Sequence, residues 1–219
     1  MQLLTLIPSF LIFLYAYYRL IKDDYVFIRK GISLEQSFDM AFLSLWSSIF
    51  FARLAYFLND FIELKHIFYH FFSLHIGGFS LIGGIFGCFF SLYLLSRSRR
   101  IPLGRISDFT SVALLYSLPL GFFLNAFLFR KSAQLIFFFD AGVYFVLLVL
   151  FMQFLYPKLL SRKIKEGTVA LLFLLCFSFL ALGGIVITSL HSLGHLITVS
   201  SGVALGFFLM SSMLLLKRK

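Results

Sequence analysis

Apolar residues fall into seven blocks along this chain, at roughly 3–21, 38–58, 76–95, 107–129, 134–156, 167–189 and 196–216. Each block is closed by charged or turn-forming residues and is close to the ~20 residues a helix needs to cross a hydrocarbon core about 30 Å thick. The pattern predicts an all-α fold: a polytopic integral membrane bundle of about seven transmembrane helices, forming a single transmembrane domain over 1–219.

The punctuation carries the orientation. Arg19, Lys22, Arg29 and Lys30 follow the first block, and Arg97, Arg99, Arg100 and Arg105 the third. Lys158, Arg162, Lys163 and Lys165 follow the fifth, and Lys217, Arg218 and Lys219 the seventh. These are fifteen of the 19 Lys and Arg, against Lys65, Arg130 and Lys131 in the opposite loops. Basic residues favour the cytoplasmic side. The expectation is an N-terminus outside and a C-terminus in the cytoplasm.

Composition strengthens this picture. Of 219 residues, 61% are hydrophobic, 20% aromatic and 13% charged; a soluble domain is nearer a quarter charged. A net charge of +10 would suggest nucleic acid in a soluble protein. Here the cations punctuate apolar runs and form no basic face with interleaved aromatics, so no nucleic-acid partner is expected. Cys88 and Cys176 lie inside apolar blocks and read as small buried helix residues, without metal-type spacing. No cleavable signal peptide and no cofactor are expected. The longest outer loop, about 59–75, holds His66, His70 and His75 among aromatics. Spacings of four and five set no ligand geometry, so an interfacial segment is the favoured reading and no metal is assigned.

Few polar groups remain within the blocks. Arg53 sits near the outer end of the second, and Asp140 in the first turns of the fifth. Ionisable residues in a bilayer are costly and commonly functional. Asp39 and Asp108 read as cytoplasmic helix starts, where a carboxylate suits the helix dipole. Gly183 and Gly184 read as a packing contact. Gly77, Gly78, Gly83, Gly84 and Gly87 put five glycines into eleven residues. That density is more than helix packing requires, and predicts a close approach to a backbone or to a lipid.

Several short segments, in order, resemble one family. Gly77-Gly78-Phe79-Ser80-Leu81-Ile82-Gly83-Gly84 resembles the GG-x-S-F-H-G-G signature of the prolipoprotein diacylglyceryl transferases. Gly31-Ile32-Ser33-Leu34-Glu35 resembles their first cytoplasmic loop, and Ala52-Arg53-Leu54-Ala55-Tyr56 their G-R-x-G-Y motif. Arg100-Ile101-Pro102 through Ser107-Asp108 resembles the next cytoplasmic loop, Gly121 through Asn125 the G-R-x-G-N motif, and Ser132-Ala133-Gln134-Leu135 the H-P-S-Q-L-Y-E motif. Leu193-Gly194-His195-Leu196 resembles M-G-Q-x-L before the last helix. The resemblance implies a bacterial cytoplasmic (inner) membrane protein of lipoprotein biosynthesis. Such enzymes move diacylglyceryl from phosphatidylglycerol to the thiol of a lipobox cysteine, releasing glycerol phosphate. The implied partners are phosphatidylglycerol and the prolipoprotein signal peptide.

The departures fall on the chemistry. The H-G-G histidine is Ile82, and the G-R-x-G-N arginine is Phe122, although Asn125 remains. The last two positions of H-P-S-Q-L-Y-E are Ile136 and Phe137, and its opening His is Lys131. The sixth-helix R-x-x-x-E positions are Ala181 and Ile185. The outer domain expected between the fourth and fifth helices is replaced by Phe129, Arg130 and Lys131. The predicted lipid-binding set is Arg53, Tyr56, Gly83, Gly84, Asn125 and Gln134. Arg53 is the candidate phosphate ligand because a guanidinium matches phosphate bidentately; the alternative is a snorkelling or structural arginine. Two readings stay open: a divergent transferase, or an inactive homologue that binds phospholipid or a lipoprotein signal helix.

Overall fold

The computed structural model describes residues 2–22, 24–29, 31–59, 78–128, 131–189 and 199–217. Among these every regular element is helical: α1 (Gln2–Lys22), α2 (Tyr25–Arg29), α3 (Leu34–Asn59), α4 (Leu81–Arg99), α5 (Leu103–Leu128) and α6 (Lys131–Leu150). A π-helical turn (Phe151–Leu155), α7 (Tyr156–Leu160), α8 (Thr168–Ser189) and α9 (Val199–Leu216) follow. Five stretches are long and apolar enough to cross a membrane: Leu34–Leu58, Leu81–Arg99, Leu103–Leu128, Gln134–Leu160 and Thr168–Ile185. Ser201–Leu216 is a shorter apolar helix. The 21 residues of α1 extend about 30 Å.

Side chains set several helix starts by accepting hydrogen bonds from amides left unpaired in a first turn. Asp24 Oδ1 takes Val26 N–H at 2.9 Å and Phe27 N–H at 3.2 Å, which starts α2 directly after α1. Ser33 Oγ takes Gln36 N–H at 3.1 Å, and Ser80 Oγ takes Gly83 N–H at 3.3 Å. The π turn precedes Pro157, whose missing N–H interrupts the regular ladder.

The chain divides into two compact units. The first comprises 1–42 and 99–170, and the second 43–98 and 171–219, with the divisions falling inside helices. In the first unit α5 packs against both α1 and α6. Its core holds Phe13, Tyr17, Ile106, Phe109, Val112 and Leu159, each almost wholly buried. In the second unit the core holds Ile85, Cys88, Leu92, Phe173 and Phe177. Many large apolar side chains stay exposed, among them Leu135, Phe139 and Phe179. Exposure on that scale suits a surface solvated by lipid.

The predicted blocks match helices, with shifted ends. The third helix starts at Leu81, so Gly78 precedes it. The fourth starts at Leu103, before the predicted 107. That corrects the reading of Asp108 as a helix-start residue: it lies more than a turn inside α5. Asp39 likewise lies inside α3, where Arg99 meets it at 3.6 Å on an exposed surface. The outer loop with His66, His70 and His75 is outside the described residues, as are Gly77 and His195.

Candidate functional site

The second unit brings two of the motif-like segments together. Ser80 N–H donates to the carbonyl of Ala52 at 3.0 Å, which ties the turn before α4 to the body of α3. One residue on from Ala52, Arg53 is only 5% exposed. Its guanidinium carbon lies 5.2 Å from the Phe57 ring centroid and 5.3 Å from that of Phe79. The side chain is thus covered by protein. Two aromatic faces hold it, an arrangement that favours a cation and fixes a planar guanidinium. Tyr56 follows at i+3, and its ring lies against Gly78: an added Cβ there would sit 2.8 Å from Tyr56 Cε2.

The glycines of α4 make this approach possible. A Cβ on Gly83 would collide with Ala55 Cβ and lie 2.7 Å from the Phe51 carbonyl oxygen. On Gly87 it would lie 2.6 Å from Phe51 Cβ, and on Gly84 3.2 Å from Ser48 Oγ. Ser47 Oγ donates to the Gly87 carbonyl at 3.2 Å across the same seam. Close approach of α3 and α4 thus accounts for the small size of Gly83, Gly84 and Gly87. Among the described residues, nothing lies within 4 Å of a Cβ added at Gly183 or Gly184.

Asn125 and Gln134 belong to the first unit. Phe122 stacks on Tyr144 at 5.3 Å and 5°, and packs on Phe137 at 6.5 Å and 34°. Two positions that carry Arg and Glu in the resembled motifs therefore face each other here as phenylalanines. Asn125 lies one turn beyond Phe122, and its Oδ1 is fully buried without a hydrogen-bond partner. Asp140, on α6 between Phe137 and Tyr144, is half-buried. Gln134 opens the apolar part of α6 and is also half-buried.

A third polar cluster was hidden from sequence reasoning. Arg105, counted there as a loop charge, is 3% exposed. Its Nε donates to Asp24 Oδ2 at 3.1 Å, with Nη2 on the same oxygen, and its Nη1 donates to the Leu159 carbonyl at 3.0 Å. Asp108, fully buried, accepts from Gly167 N–H at 2.6 Å and Ala170 N–H at 2.8 Å, and so caps the start of α8. Arg162 lies over the Tyr25 ring at 5.4 Å. The segment after α1, the first turn of α5 and the end of α7 with the residues after it therefore share one end of the first unit. The one signal in the sequence was Arg105 and Asp108 at i, i+3 among residues that are otherwise apolar or small. No group of three or more His, Cys, Asp or Glu among the described residues is placed to hold a metal.

Compared with known proteins, the chain matches the family model for prolipoprotein diacylglyceryl transferase over residues 3–216, nearly its whole length. Neither the curated proteins nor the solved structures give a match.

Proposed function

The chain belongs to the prolipoprotein diacylglyceryl transferase family, and from that premise we propose that it acts on phosphatidylglycerol in lipoprotein maturation. Arg53 would meet the lipid phosphate. In the family reaction a lipobox thiol sulfur bonds to the diacylglyceryl carbon. The carbon–oxygen bond to phosphate breaks, glycerol phosphate leaves with the electron pair, and the thiol proton passes to a base. A cation at the leaving phosphate lowers that barrier. The observation that carries this reading is Arg53, buried between Phe57 and Phe79 where the signature turn is tied to α3. Tyr56, Asn125 and Gln134 are the remaining polar positions of the proposed lipid site, and Gly83 and Gly84 let its walls close up. The proposed setting is the bacterial cytoplasmic membrane, with seven spans, the N-terminus outside and the C-terminus inside. The sharing of one end by three basic segments supports this topology.

A second reading is favoured by the Phe122–Phe137 contact. Neither side chain takes a proton or balances a phosphate, and Ile82 stands where the signature has histidine. On this reading the protein binds phosphatidylglycerol or a lipoprotein signal helix without transfer. One experiment separates the two. Purified protein is incubated with phosphatidylglycerol and a lipobox peptide, and glycerol phosphate is measured. Release that depends on both substrates and is lost in Arg53→Ala supports the transferase. Lipid retention without release, reduced in Arg53→Ala, supports the binding protein. Retention unchanged by Arg53→Ala removes Arg53 from either reading.

A further inference from the structure

One face of the long helical span Gln134–Leu160 is turned outward along its length. Leu135, Phe139, Gly142, Val146, Leu150 and Gln153 recur every three or four residues, which sets them in one stripe, and all six are exposed. The stripe runs about 27 Å, close to the thickness of a hydrocarbon core. It is notched at Gly142. A hollow lined by Phe138, Phe139, Gly142, Val143, Val146 and Leu147 opens to the outside there, and among the described residues nothing lies within 4 Å of a Cβ added at Gly142. Such a notch lets another helix backbone come close.

The stripe also carries one polar group. Gln153 makes no side-chain hydrogen bond with any described residue. The 27 residues of the span extend about 40 Å, some 10 Å more than the hydrocarbon core. Gln153 lies about 10 Å along the helix from Leu160, which places its amide below the hydrocarbon edge. An amide facing lipid without a partner is costly, and polar side chains in spans commonly bond across to another helix.

That amide decides what covers the stripe. An acyl chain fills the notch but offers Gln153 no donor or acceptor. The apolar core of a signal peptide, about 7–15 residues, offers none either and is shorter than the stripe. A second copy of this chain supplies the missing group itself. Two copies related by a two-fold axis along the membrane normal set each stripe residue opposite itself at equal depth. Gly142 then meets Gly142, and each Gln153 amide donates through Nε2 to the Oε1 of the other and accepts in return. The stripe carries no charge, so the two faces meet without repulsion.

We infer that this face is the interface of a parallel homodimer, closed by the Gly142 notch and by paired Gln153 amides. The inference is independent of the proposed lipid site and of its activity.

The test uses full-length protein labelled with donor or acceptor dye, in phosphatidylethanolamine–phosphatidylglycerol liposomes over a range of protein-to-lipid ratios. Energy transfer should exceed that of randomly placed monomers and saturate as a dimer. Gln153→Leu should weaken association about tenfold, the scale of a polar pair between spans. Gln153→Asn, which keeps a self-complementary amide, should stay closer to the parent. Gly142→Leu should weaken association at least as much while leaving the melting temperature of the detergent-diluted monomer unchanged, because the new side chain projects into open space in one copy. With Cys88 and Cys176 replaced by alanine, Val146→Cys and Leu150→Cys should each form a disulfide-linked dimer on oxidation, and Phe179→Cys, exposed on α8, should not. Transfer no greater than random at every ratio overturns the dimer. Association unchanged in both Gly142→Leu and Gln153→Leu, or linkage through Phe179→Cys equal to that through Val146→Cys, overturns this interface. Loss of the Val146→Cys dimer to a mixed disulfide with an added lipobox peptide reassigns the stripe to a signal helix and overturns the second copy as its occupant.

Discussion

Phe122 of α5 and Phe137 of α6 pack ring against ring, 6.5 Å between centroids, at two positions where the transferase motifs carry an arginine and a glutamate. The contact joins two separate departures into one. Lone replacement of either member of a charged pair in a membrane leaves the other charge uncompensated, whereas replacing both gives an apolar contact with ordinary aromatic geometry. The expected outcome is energetic coupling. Phe122→Arg alone should destabilise by about 3 kcal/mol, as a cation at membrane depth does. Adding Phe137→Glu should recover about 0.5–3 kcal/mol. Thermal unfolding of the parent, both single variants and the double variant measures this; strictly additive losses would mean that the positions do not communicate.

Asp108 holds the amides of Gly167 and Ala170, so one carboxylate of α5 satisfies the first turn of α8. Asp108→Ala should cost about 1–3 kcal/mol, because it leaves two amides without their acceptor. Asp108→Asn, which keeps one oxygen, should lose less. Hydrogen exchange at residues 167–170 reports the loss locally, and protection unchanged in Asp108→Ala would refute the cap.

Arg105 and Asp24 form a buried pair separated by 81 residues of chain. Arg105→Leu alone strands the Asp24 carboxylate and should cost about 3–5 kcal/mol. Arg105→Leu with Asp24→Leu should regain much of that, less the α2 cap that Asp24 also provides. Chemical unfolding of the three variants measures it. A double variant no more stable than Arg105→Leu would mean that the pair contributes beyond mutual compensation.

The helices were legible because a membrane span is written in one variable, apolar length. Their ends were less so. Arg105 looked like a loop residue and Asp108 like a helix start, because a charge in isolation reads as a boundary signal. Their partners, Asp24, Leu159, Gly167 and Ala170, are joined to them only through tertiary contact. The five-residue α2 was missed for the same reason, since its start depends on Asp24. Of the candidate site, the close approach at Gly83 followed from residue type and position, whereas the burial of Arg53 between Phe57 and Phe79 did not. The facing of Phe122 and Phe137 did not, because it depends on the register between two helices.

Gly83 and Gly142 make opposite predictions. Gly83→Ala should cost about 1–3 kcal/mol, since its new methyl meets Ala55 and the Phe51 carbonyl, and backbone gives little. Gly142→Ala meets nothing within 4 Å and should be neutral or stabilising by up to about 1 kcal/mol, from helix propensity. Melting temperatures of the two variants in detergent give the comparison. Equal effects would remove the α3–α4 contact as the reason for the glycine.

The topology makes the last prediction. Asp24, Tyr25, Arg105, Leu159 and Arg162 meet through hydrogen bonds and a ring contact within the first unit, so the segments they belong to share one end of it. Those segments are basic, so the proposed topology puts that end in the cytoplasm. Ser98 and Ser161 are exposed, next to Arg99 and Arg162. With Cys88 and Cys176 replaced by alanine, single Ser98→Cys and Ser161→Cys variants should react with a membrane-impermeant maleimide only after cells are permeabilised. The two variants test different statements. Labelling of both from outside intact cells would reverse the orientation and leave the contacts standing. Labelling of one from outside and the other only after permeabilisation would put the two loops on opposite sides and overturn the proposed topology.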